Sequence, residues 1–136
     1  MTAKSDYFEN AVLNVLRGQN ITAPSTVYVG LASSATSDAN TGATVPELAN
    51  VNGYARQPVS FGAPSGGANN EISNTGAINF TASGGDWSQA THFFVVDSSV
   101  LGSGNILYHG ALTTAVTVLN GQTRQFPVGT LIVREG

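Results

Sequence analysis

The sequence predicts an all-β chain: an antiparallel β-sandwich or barrel-like (jelly-roll-type) domain with one N-terminal α-helix. Three observations carry this. Beyond Pro24, apolar and polar residues alternate at period two, as strands with one buried face require. Turn formers recur at short intervals, and the 136 residues include 16 Gly. Charged residues make up only 10%, against about 25% in ordinary soluble domains, while Ser, Thr, Asn and Ala abound.

The first element is the helix, expected over residues 6–17 within an N-terminal helical arm, 1–18. Phe8, Val12, Val15 and Leu16 recur at helical spacing, and Ala11 fills the same stripe. Asp6 followed by Glu9 reads as a capping box, and Gly18 stands where a helix ends. A helix of roughly 12 residues is marginal alone, so its stripe must dock on this chain's sheet or on a neighbour. Val27, Val29 and Leu31 then alternate with Thr26, Tyr28 and Gly30 to give the first strand. Residues 33–52 lack a period, are rich in Ser, Thr, Ala and Asn, and read as a long polar loop. A loop of that length is usually functional or disordered, and an ordered contact loop is expected here.

Seven further strands are expected: Tyr54–Phe61, Ala77–Phe80, Ala90–Asp97, Asn105–Leu112, Val116–Leu119, Gln122–Phe126 and Thr130–Arg134. Turns at Pro64-Ser65-Gly66-Gly67, Ser83-Gly84-Gly85-Asp86 and Gly102-Ser103-Gly104 separate them. Asn120-Gly121 tolerates the positive φ of a type I′ turn, so 116–119 and 122–126 should form a two-residue hairpin. Phe93-Phe94-Val95-Val96 and Leu131-Ile132-Val133 are apolar on both faces and should sit centrally. The length fits one domain, 1–136, whose small core limits isolated stability and makes assembly with other copies a remedy.

The function classes follow largely by exclusion. The net charge is −3, and the five cations Lys4, Arg17, Arg56, Arg124 and Arg134 are scattered, so no nucleic-acid backbone partner is expected. No apolar run approaches the roughly 20 residues of a membrane span. Asp6 and Glu9 fall where a signal peptide would be apolar, so synthesis in a bacterial cytoplasm is expected. The absence of Cys removes disulfides and thiolate metal sites. The only Lys precedes every strand, which excludes a phosphate loop, and no G-x-S-x-G elbow occurs.

The residues left with chemistry are few. His92 and His109 could face each other across paired strands with Asp97 nearby, yet no motif marks a nucleophile, and satisfied sheet histidines are the simpler reading. Asp38-Ala39-Asn40-Thr41-Gly42 opens like a calcium loop, but the required twelfth-position acid would be residue 49, an Ala. Asp86 and Trp87 admit a sugar-stacking reading, with Tyr54 beside it; packing at an end of the sandwich is the plainer role for Trp87. Arg56 and Arg124 read as solvated or paired surface charges, although Arg and Tyr are also favoured interface anchors. The candidate interface set is therefore Phe8, Val12, Val15, Leu16, Tyr54, Arg56, Trp87 and Arg124, with no catalytic, cofactor-binding or metal residue.

Four blocks bear a resemblance: Thr22-Ala23-Pro24-Ser25-Thr26-Val27-Tyr28-Val29-Gly30-Leu31, Gly53-Tyr54-Ala55-Arg56-Gln57-Pro58-Val59-Ser60-Phe61, Asp86-Trp87-Ser88-Gln89-Ala90-Thr91-His92-Phe93 and Ile106-Leu107-Tyr108-His109-Gly110-Ala111-Leu112. In this order they resemble small tailed-bacteriophage virion proteins, often labelled tail fibre proteins, some of which serve as capsid cement or decoration proteins. The resemblance implies a non-enzymatic structural protein of the virion. Its first expectation is a cement protein on the capsid surface, a homotrimer that binds the major capsid protein, needs no cofactor and takes no small-molecule substrate. The alternatives are a tail fibre or baseplate component and a carbohydrate-binding host-attachment module.

Overall fold

The computed structural model describes residues 2–65 and 70–135. Among these residues nine strands and one helix follow the order β1 (Thr2–Lys4), α1 (Asp6–Val15), β2 (Val27–Ala32), β3 (Gln57–Val59), β4 (Glu71–Ser73), β5 (Ile78–Thr81), β6 (Ala90–Val96), β7 (Ile106–Val116), β8 (Thr123–Phe126) and β9 (Ile132–Arg134). All pairings are antiparallel. The fold is the all-β sandwich with one short N-terminal helix that the sequence predicts.

One layer is the five-stranded sheet β1-β7-β6-β2-β3. The other consists of two ribbons, β4-β9 and β5-β8, joined where Asn74 interrupts the ladder. Buried Asn74 repairs that break. Its Nδ2 donates to the Gly76 and Pro127 carbonyls at 2.8 and 3.1 Å, and its Oδ1 accepts from the Leu131 N–H at 2.9 Å. One amide thus satisfies backbone groups that a regular ladder would have paired.

Between the layers lies the main core. Val29 and Leu31 of β2 and Phe93 and Val95 of β6 meet Ile78, Phe80, Phe126, Leu131 and Val133. The alternation puts Phe94 and Val96 on the outer face of β6, where with Ala32, Val45 and Ile106 they form a second cluster. The five-stranded sheet is therefore buried on both faces in its middle, as the unbroken apolar run of β6 implies. β9 differs: it belongs to a two-stranded ribbon, and Ile132 is only half-buried.

Gly30 is required by close approach. It stands opposite Phe94 in the register, and a Cβ there would meet the Phe94 ring at 2.2 Å. The ring lies where any other side chain would be.

Several expectations need correction. The helix cap is Ser5, whose Oγ accepts from the Phe8 N–H at 3.2 Å, rather than Asp6. The arm begins with an edge strand, because Thr2–Lys4 pair with β7. Gly18 does end the helix, at φ 78°, with Gly18 N–H on Val15 O and Gln19 N–H on Asn14 O, the Schellman pattern. Asn120-Gly121 does form a turn closed by Gln122 N–H on Leu119 O at 2.8 Å. Only Gly121 has positive φ, however, so the turn is not type I′, and β8 pairs with β5 instead of 116–119. Part of the turn expected at Pro64-Ser65-Gly66-Gly67 lies outside the described residues.

The 33–52 segment contains no strand and is largely exposed, but it also packs back onto the sheet. Val45 and Leu48 are buried, Glu47 bridges to Ala32, and Gly42 N–H bonds to Gly104 O at 2.9 Å. Val45 completes the second cluster on the outer face of the sheet, while Leu48 joins the main core.

Candidate assembly interface

Of the eight candidate contact residues, three lie inside. Arg56 is the most consequential. Its side chain is wholly buried and pairs with Glu47, Nη2 to Oε1 at 2.8 Å and Nε to Oε2 at 2.9 Å. Nη1 donates to the Ser98 and Ser103 carbonyls at 2.9 and 2.8 Å, and Nη2 to the Gly42 carbonyl at 3.3 Å. The guanidinium also sits 5.5 Å above the Phe94 ring. All five N–H donors of the fork are used, so Arg56 has no donor left for a partner. Its task is internal: it ties the 33–52 segment, the 98–104 turn and the sheet face together.

Tyr54 and Trp87 are 3% and 5% exposed. The Tyr54 hydroxyl donates to Glu47 Oε2 at 2.8 Å and accepts from the Leu31 N–H at 2.9 Å. Burial first, then the Glu47 carboxylate, holds that hydroxyl far above the ordinary tyrosine range. The Trp87 indole packs edge-on to Tyr54 with ring centroids 5.3 Å apart, and Nε1 donates to Asn52 O at 2.8 Å. A sugar platform needs an exposed aromatic face; these two rings have none to offer. Trp87 packs within the main core.

The histidines do not face each other. His92 stands opposite Ala111 and His109 opposite Phe94. Asp97 holds Asn105 through both carboxylate oxygens, at 2.7 Å to N and 3.1 Å to Nδ2. His109 meets Thr36 Oγ1 at Nδ1 and Asp38 Oδ1 at Nε2, both 2.8 Å. Asp38, the residue that opens the calcium-like motif, therefore latches the 33–52 segment to β7. Among the described residues His92 bonds its neighbour, Thr91 Oγ1, at 2.8 Å. Among the described residues no group of three or more His, Asp or Glu could hold a metal ion, and no helix is long and apolar enough to cross a membrane.

The remaining five candidates reach the outside to differing degrees. Phe8 is half-buried with its ring edge-on to Tyr108, centroids 5.6 Å apart. That contact is how α1 docks on β7. Val12, Val15 and Leu16 are exposed, Leu16 at 86%, and so is Leu13 at 59%, which the sequence stripe omits. No residue of α1 is buried. Arg124 is exposed on β8, its guanidinium 5.8 Å over the Phe126 ring. The helix thus meets its sheet with one edge and presents apolar side chains to the outside.

Sequence reasoning missed Glu47 and Ser5, the residues that organise these elements. Scarcity was the available signal for Glu47. In a chain with eight acidic and five basic side chains, an Arg flanked by strand residues has few possible partners.

The fold is thus a charge-poor β-sandwich that ties its buried polar groups to one another and leaves apolar helix side chains exposed. Over residues 3–134 the sequence matches the family described as podophage GP4 fiber I protein gp80, and the chain belongs to that family of small tailed-phage virion proteins. It is a bacteriophage virion structural protein. No curated protein matches it.

Proposed function

We propose that this chain is a non-enzymatic, globular subunit of the fibre apparatus of a podophage particle, held there by contact area rather than by chemistry on a substrate. The family match across residues 3–134 carries this reading. The apolar outer flank of α1 supports it, because a face of that kind is covered in an assembly. The internal use of Arg56, Glu47, Tyr54 and Trp87 supports it further: the polar residues best suited to reactive roles are engaged in holding the fold.

A second reading is a capsid cement protein, three copies capping the major capsid protein on the virion surface. Shape favours it. The chain folds as a two-layer sandwich without sequence repeats, the form of a cap more than of a shaft, and local threefold points on a shell suit three-copy rings. Copy number separates the two readings. Quantitative mass spectrometry of purified particles should give a few to a few dozen copies for a fibre subunit; hundreds would favour cement. Detection of the protein only in infected-cell lysate, with none in particles, would defeat both.

A further inference from the structure

The outer flank of α1 has a pattern that identifies its occupant. Glu9, Val12, Leu13 and Leu16 stand at i, i+3, i+4 and i+7, one continuous stripe along the helix. Val12, Leu13 and Leu16 are exposed at 38%, 59% and 86%. The half-buried residues Phe8, Ala11 and Asn14 mark the side turned toward the body of the protein. Residues 21–25 line a cleft with Tyr7, Phe8 and Ala11 on the opposite side of the helix, so the outer flank stays open. Its apolar middle lies between acids and a base: Asp6 and Glu9 occupy the first turn, and Arg17 follows the last.

That arrangement is complementary to itself. We propose that α1 pairs antiparallel with α1 of a second copy of this chain about a twofold axis near Val12 and Leu13. Turning the helix end for end places Asp6 and Glu9 of each copy beside Arg17 of the other. It stacks the two Leu13–Leu16 stripes and opposes the two helix dipoles. A parallel arrangement would set acid against acid and base against base. The twofold also closes on itself, so the sticky face is used up and does not propagate. Arg17 is available for this role: Nη1 bonds Asn14 Oδ1 at 2.9 Å within the helix, which leaves most of its fork free. The pairing rests on the reading of the chain as an assembly subunit and names one of its partners.

Sedimentation velocity on the full chain between 1 and 300 µM tests it. The wild type should move from monomer to dimer across that range. Leu16→Asp should weaken dimerisation roughly thirtyfold or more, as loss of a central apolar anchor does. Because Leu16 is 86% exposed, circular dichroism and the melting midpoint should hardly change. Arg17→Glu should weaken it on the order of tenfold, and Asp6→Lys with Glu9→Lys should restore association in the Arg17→Glu background. A wild type that stays monomeric at 300 µM overturns the proposal. So does a dimer indifferent to Leu16→Asp, and so does a trimer. A strict monomer that is still incorporated into particles overturns the pairing alone and leaves the fibre reading intact, whereas a dimer absent from particles does the reverse.

Discussion

Replacing Arg56 by Met should remove a large share of the stability of this protein. The Arg56 side chain has no solvent exposure and that of Glu47 has 8%, so the pair lies in a medium where water cannot take over for a lost partner. Met fills much of the same volume and leaves Phe94 covered. It leaves the Glu47 carboxylate with the Tyr54 hydroxyl as its remaining hydrogen-bond partner, and it strips donors from the carbonyls of Gly42, Ser98 and Ser103. Breaking a buried pair from one side costs about 3–5 kcal/mol, against a total of roughly 5–15 kcal/mol for a domain. For a chain of this length that corresponds to a drop of roughly 10–20 °C in melting midpoint. Calorimetry or thermal circular dichroism reads the midpoint. Hydrogen exchange reads the location: amides of 42–48 should lose protection before those of β6. Removing the orphaned charge as well, in Arg56→Met with Glu47→Gln, should recover about half of the loss. A midpoint within about 4 °C of wild type for Arg56→Met, roughly 1 kcal/mol, would refute the claim that this clamp holds the outer layer in place.

Two further outcomes follow from the same interior. Gly30→Ala should destabilise by about 1–3 kcal/mol in urea unfolding, because Phe94 is trapped between Gly30 and the Arg56 guanidinium; Phe94→Leu should make the same change tolerable, and a neutral Gly30→Ala would show that the ring can move. Alkali should also unfold the protein. The fold holds the Tyr54 phenol protonated well above the ordinary tyrosine pKa near 10. Stability is therefore fully present below pH 10 and falls above it, as the unfolded chain releases a proton that the folded chain retains. The slope contributed by Tyr54 approaches about 1.4 kcal/mol per pH unit. Tyr108, held high by burial and by Glu135, adds a smaller amount in the same direction. Urea midpoints between pH 9 and 11 should fall less steeply in Tyr54→Phe, and identical slopes would contradict this assignment.

Much of the architecture is legible in the residue pattern where long, strongly periodic segments exist. β2 and β6 emerge close to their predicted bounds because Val27–Leu31 alternates and Phe93–Val96 is apolar throughout. What fails does so for identifiable reasons. β1 and β4 are three residues long and polar, and only the neighbours they pair with make them strands. Asn120-Gly121 is a sound turn signal, yet its flanking segments are claimed by more distant partners, since β5 offers Ile78 and Phe80 to the core opposite Phe126 and Arg124. The candidate interface divides along the same line. The exposed helix face follows from helical spacing alone, whereas the burial of Arg56 depends on Glu47 arriving from another segment, and no local pattern announces that meeting. The stripe read from spacing mixes half-buried Phe8 with exposed Val12, Val15 and Leu16, and Leu13 escapes notice until the side on which the sheet lies is known.

The first and last described segments of the chain meet. Thr2 Oγ1 accepts from the Arg134 N–H at 3.0 Å, and the Lys4 ammonium lies 2.6 Å from a Glu135 carboxylate oxygen. A few linking residues should therefore suffice to close the polypeptide into a ring, and it could be reopened at the Asn120-Gly121 turn to make a permuted protein with new termini at that turn. A peptide inserted beside Thr2 or beside Glu135 would project from the same part of the surface. That spot adjoins the start of α1, so a bulky fusion would crowd the helix and whatever packs against it, while one placed at 120–121 would leave both the seam and the helix clear.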